Sequence, residues 1–90
     1  MFVLEVEIEG HRYDESRQTH FARVVFRSEA SNATISCALR MAENVEPTTL
    51  ARAFVSDAVR QISRLPAYDS AESKVSFAPN ALRTASGFAA

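Results

Sequence analysis

The stretch that decides the fold is residues 2–9, Phe2-Val3-Leu4-Glu5-Val6-Glu7-Ile8-Glu9. Alternation with a period of two predicts a strand with Phe2, Leu4, Val6 and Ile8 on a buried face and Val3, Glu5, Glu7 and Glu9 on an outer one. The strand is expected to stop at Gly10, where the polar run His11-Arg12-Tyr13-Asp14-Glu15-Ser16-Arg17-Gln18-Thr19 reads as a long hairpin loop. A second strand follows over residues 20–28, with Ala22, Val24 and Phe26 on one side and Phe21, Arg23, Val25 and Arg27 on the other. After the turn-forming Glu29-Ala30-Ser31-Asn32-Ala33, a third strand sets Ile35, Cys37, Leu39 and Met41 against Thr34, Ser36, Ala38 and Arg40. Short connections between the three imply an antiparallel meander.

One helix is punctuated by two prolines. Pro47 suits the first helical position and Pro66 cannot continue a helix, which predicts a helix from about Pro47 to Leu65. Leu50, Phe54, Ala58, Ile62 and Leu65, with Ala51, Val55 and Val59 beside them, form an apolar stripe that covers the inner face of the sheet. Glu46 complements the positive end of the helix dipole, and Arg60 and Arg64 complement the negative end. At about 1.5 Å per residue such a helix outruns an eight-residue strand, so one end is expected to overhang the sheet and offer a contact to a second subunit. The class is therefore α+β, a three-stranded antiparallel meander with one long amphipathic helix packed on one face. A short fourth strand is expected near residues 73–78, beside strand one or across a dimer interface. Residues 1–78 read as one domain and 79–90 as a loosely ordered tail.

Composition bounds the function. The 90 residues carry 47% hydrophobic and 23% charged side chains and a net charge of -1, as an ordinary single domain does. A chain this short buries roughly 60 to 65% of its unfolded surface, so association with a partner adds useful stability. No window of about 18 apolar residues and no positively charged leader appear, which points to a cytoplasmic protein with no membrane contact. The lone Cys37 lies in an apolar alternation and reads as an inward thiol without a catalytic role. No glycine-rich phosphate loop, GxSxG, HExxH or CxxC is present, and Gly10 and Gly87 are the two glycines. No catalytic residue and no cofactor are assigned.

Three surfaces remain as candidates. The outer face of the sheet brings Glu5, Glu7 and Glu9 near Arg23 and Arg27 and also carries an apolar strip. Val3, Phe21, Arg23, Val25, Arg27 and Ala38 on that face are the predicted interface of a homodimer or of a complex with another protein. On the helix, Arg52, Arg60 and Arg64 make a basic stripe with Ser56, which suits phosphate contacts and makes nucleic acid the alternative partner. In the loop, His11, Asp14, Glu15 and His20 gather two imidazoles and two carboxylates, the groups of a metal site or of a small enzyme or ligand binder, with Tyr13 or Arg17 orienting a small anion. The preferred reading is a small non-enzymatic interaction or assembly module.

Overall fold

The structure, a computed structural model, describes residues 1–64, 75–79 and 81. Its elements are β1 (Phe2–Val3), β2 (Glu5–Asp14), β3 (Thr19–Arg27), β4 (Asn32–Arg40), α1 (Pro47–Ile62) and β5 (Ser76–Phe77). Strands β2, β3 and β4 form an antiparallel sheet in that order, and α1 packs on it chiefly over β4 and secondarily over β3. The α+β class and the meander agree with the sequence reading. The short fourth strand is β5, which pairs parallel with β1 through Phe2 opposite Ser76 and Val3 opposite Phe77. Ala81 is fully buried and its N–H donates to the Ala78 carbonyl at 3.0 Å, so the core reaches into the segment expected to be a tail. Residues 80 and 82–90 lie outside the described ones.

The first strand departs from the expected phase. The chain bends at Leu4, between β1 and β2, and a bend that takes up one residue inverts the alternation before it. Val3 thus joins Val6 and Ile8 in the core at 0% exposure, while Phe2 and Leu4 are 53% and 40% exposed. Val3, predicted for the outer interface, is therefore a core residue. Beyond the bend, Leu4 N–H donates to the Arg27 carbonyl at 2.8 Å and joins the chain to the sheet again.

Gly10 does not end the strand. It sits at φ +67, and the register steps from Glu9 opposite Arg23 to Arg12 opposite Phe21, so Gly10 and His11 share the place opposite Ala22. This is a β-bulge with glycine at the left-handed position. The strand continues to Asp14, and the nine-residue loop expected at 11–19 shrinks to the turn Glu15–Gln18. Asp14 Oδ1 accepts from Ser16 Oγ at 2.7 Å and from Arg17 N–H at 3.2 Å, which ties the turn to the strand end. The inserted residue also shifts phase: Val6 and Ile8 are inward before the bulge, and His11 and Tyr13 take over that face after it.

Helix α1 starts as expected, with Pro47 in the first turn and Leu50 N–H donating to the Glu46 carbonyl at 2.9 Å. It ends at Ile62, three residues short of the expected Leu65, because Ser63 and Arg64 close it with bonds to Val59 and Gln61 carbonyls ahead of Pro66. Leu65 is outside the described residues. Sixteen residues give roughly 24 Å, whereas nine-residue β4 spans roughly 30 Å, so the helix does not outrun the strand, the length difference on which the expected overhang rested. The core joins Val6, Ile8, Ala22, Val24, Phe26 and Cys37 of the sheet to Leu50, Phe54, Val55, Ala58 and Ile62 of the helix. Phe26 and Phe54 are wholly buried, each contributing about 1.5 to 3 kcal/mol by the area removed from water. Phe77 of β5 meets Phe26 edge-on, with ring centroids 5.6 Å apart, and so covers the sheet where α1 does not reach.

Candidate functional site

The outer face of the sheet is built by the side chains that alternate away from α1. Arg27 Nη2 donates to Glu7 Oε2 at 2.7 Å and Arg23 Nε to Glu9 Oε1 at 3.5 Å, as the strand spacing predicts. The bond to Glu7 stabilises the charged form of Arg27 and raises its pKa. The apolar strip between them is largely covered. Val25 is only 6% exposed, flanked by Arg23 and Arg27 on its own strand and by Glu7 and Thr34 opposite. Stems of such long side chains shield apolar neighbours while their heads stay in water. Phe21 is half-buried beneath Arg12, whose Cζ lies 4.3 Å from the ring centroid, a contact worth about 0.5 to 1 kcal/mol. Ala38 is exposed, and it belongs to a different column: Thr34, Ser36 and Ala38 of β4 form an exposed, uncharged strip along one side of the face.

The second site is a histidine pair. His20 shares its parity with Ala22, Val24 and Phe26, so its side chain points inward and it is 2% exposed. The bulge delivers His11 to the same face, and His11 Nε2 lies 3.0 Å from His20 Nδ1 with the rings nearly parallel. His20 Nε2 lies 2.8 Å from the Ala42 carbonyl, which only accepts, so that nitrogen carries a proton. In the neutral pair His20 Nδ1 then accepts and His11 Nε2–H donates. Tyr13 packs on His20 and Phe54 meets His11 edge-on. Burial, and the neighbouring His20, lower the pKa of His11. The fold thus brings His11 and His20 together but sends their predicted companions elsewhere: Asp14 holds the turn and Glu15 is exposed within it. Hydrogen bonds from Ser16, first, hold the Asp14 carboxyl below its ordinary range. Among the described residues no group of three or more His, Cys, Asp or Glu side chains is placed to hold one metal ion.

The helix stripe is less uniform than its sequence. Arg52, Ser56, Arg60 and Arg64 are all exposed, but Arg60 Nη2 is bonded to Oδ1 of Asp57. Asp57 is 7% exposed on the helix side facing β4 and also accepts from Gln61 Nε2 at 2.8 Å. The same Gln61 amide donates to the Ser36 carbonyl at 3.0 Å, joining α1 to β4. Cys37 lies beneath this link, and burial, with the Asp57 charge beside it, pushes its thiol up to about 12. At neutral pH that thiol is protonated and a poor nucleophile. Asp57 follows Phe54 by three residues, on the margin of the apolar face, and that spacing is the signal in the sequence that it is covered.

Burial is incomplete along one side. Ala33, Ile35 and Leu39 on the inner face of β4 and Ala51 and Val59 on α1 pack against the core yet keep part of their surface in solvent. A shallow cleft of about 250 Å³ lies there, lined by Leu39, Ala53, Ser56, Asp57 and Arg60. At the far end of the sheet a more apolar cleft of about 370 Å³ gathers Met1, Phe2, Leu4 and Ala30. Among the described residues no helix is long and apolar enough to cross a membrane. The chain matches no protein-family model, no curated protein and no solved structure.

Proposed function

We propose that this chain is a small non-enzymatic interaction module that works as a homo-oligomer, joined through its sheet. The observation that supports it is the open side of the core, where Ala33, Ile35, Leu39 and Val59 are only partly buried beside the uncharged column Thr34, Ser36 and Ala38. A domain of 90 residues has little apolar surface to spare, and covering these side chains returns about 25 cal/mol per Å². The ion-paired part of the outer face, around Glu7, Glu9, Arg23 and Arg27, flanks the contact and opposes wrong partners through its charge.

Sedimentation of the chain across a concentration series, at low and high salt, tests the reading. The expected result is a species of twice 9.9 kDa that persists in high salt, since burial of neutral and apolar groups is little screened. A single species of 9.9 kDa at every concentration removes self-association from the account.

A further inference from the structure

One hydrogen bond fixes which way the backbone of β4 points, and two more agree with it. The Arg27 carbonyl accepts from Leu4 N–H, so Arg27 is turned toward the β2 side of β3. Successive residues of a strand present their backbone groups to opposite edges, which turns Phe26, Val24, Ala22 and His20 toward β4. Their register partners Ala33, Ile35, Cys37 and Leu39 complete those pairs. Asn32, Thr34, Ser36, Ala38 and Arg40 therefore direct their N–H and C=O groups to the outer edge. The Gln61 amide reaching the Ser36 carbonyl agrees with this, as does the Ser28 N–H bond to the Ser31 carbonyl in the turn before.

The two edges of the sheet are unlike. Edge β2 carries Glu5, Glu7 and Glu9 and is interrupted by the Gly10 bulge, both devices that discourage pairing with another strand. Edge β4 has nine residues in unbroken register with β3, with no proline, no bulge and no charge before Arg40. Among the described residues no strand pairs with it.

We infer that β4 pairs antiparallel with β4 of a second copy about a two-fold axis at Ser36, making one continuous six-stranded sheet. The inference rests on the self-association proposed above and names its seam. Ser36 is the middle of β4, so this is the register that pairs all nine residues. It sets Ser36 opposite Ser36 of the other copy, Thr34 opposite Ala38 and Asn32 opposite Arg40. Small neutral side chains then meet on the outer face, and the two Arg40 side chains lie at opposite ends of the seam, roughly 27 Å apart. A β2 seam would instead oppose Glu5, Glu7 and Glu9 to one another, which selects β4 on charge. On the inner face the second copy brings its Ala33 beside Leu39 and its Ile35 beside Cys37, covering the side on which the core is open. The Ser36 carbonyl has two lone pairs, so it accepts from the second copy while keeping Gln61.

Charge reversal tests the register, because Thr34 and Ala38 are both exposed and tolerate long side chains without disturbing the core. Thr34→Lys with Ala38→Lys places like charges opposite each other twice across the seam. Thr34→Lys with Ala38→Glu places opposite charges there. The first pair of substitutions is expected to weaken the dimer roughly tenfold in dissociation constant, and the second to restore it to the wild-type value or better. Far-UV circular dichroism verifies that both variants are folded. If both variants associate as wild type does, or both separate equally, the β4 seam is overturned while self-association stands. If the wild-type chain is a monomer, both fall, and its open edge belongs to another partner or to another segment of the same chain.

Discussion

Gly10 and His11 show how one residue sets a neighbourhood. At Gly10 the backbone is left-handed, and an added Cβ would lie 2.8 Å from Arg23 Nη2. Arg23 swings aside readily, so the cost of Gly10→Ala is the backbone, about 1 to 2 kcal/mol, read as a lower midpoint in urea denaturation. His11 gives a pH dependence with a definite sign. Its folded-state pKa lies below the ordinary 6.5, so the unfolded chain binds the proton more readily. The stabilisation is present above that value and is lost as the pH falls through it toward the folded-state pKa. Urea midpoints are therefore expected to drop between about pH 7.5 and pH 5, and His11→Gln should flatten the drop. Asp14, also lowered but from 3.8, acts in a separate and more acid window. An unchanged slope in the His11 variant would show that the pair is indifferent to protonation.

At the scale of elements, Val3 and Leu4 separate the predicted from the observed phase of the first strand. Val3→Ala is expected to cost about 2 kcal/mol, because two methyl groups leave a closed core, and Leu4→Ala well under 1 kcal/mol, because its side chain is already 40% exposed. The sequence alternation taken alone predicts the reverse order, so denaturation of the two variants decides between them. Within residues 5–9, 21–27 and 34–40 the period of two was enough to place every inward side chain, since neither bend nor bulge interrupts those runs. The helix was legible from Pro47 and its apolar stripe. What could not be read were the single-residue irregularities at Leu4 and at Gly10–His11, each of which inverts the phase of all that precedes or follows it. A glycine before a polar run signals a turn and a bulge equally, and only the pairing with β3 distinguishes the two.

For the whole molecule, the legible part of the site was its charge pattern: Glu7 with Arg27 and Glu9 with Arg23 pair as their spacing implies. The apolar strip was misjudged because long side chains cover Val25 and Phe21, a consequence of rotamer and register that alternation does not carry. The two histidines read as members of a loop lie instead against the helix side of the sheet: strand parity turns His20 inward against Tyr13, and the bulge brings His11 beside it, against Phe54. The meander already implied that the third strand ends the sheet, but which of its backbone groups face outward is set by the register with β3, which alternation does not carry. The seam proposed for β4 is most directly tested by hydrogen exchange at the Thr34, Ser36 and Ala38 amides, followed over a concentration series. At high concentration these amides should exchange as slowly as those of Ile35 and Cys37, and dilution should release them while leaving the latter protected. Rapid exchange at every concentration, or protection that dilution does not change, would contradict pairing with a second copy.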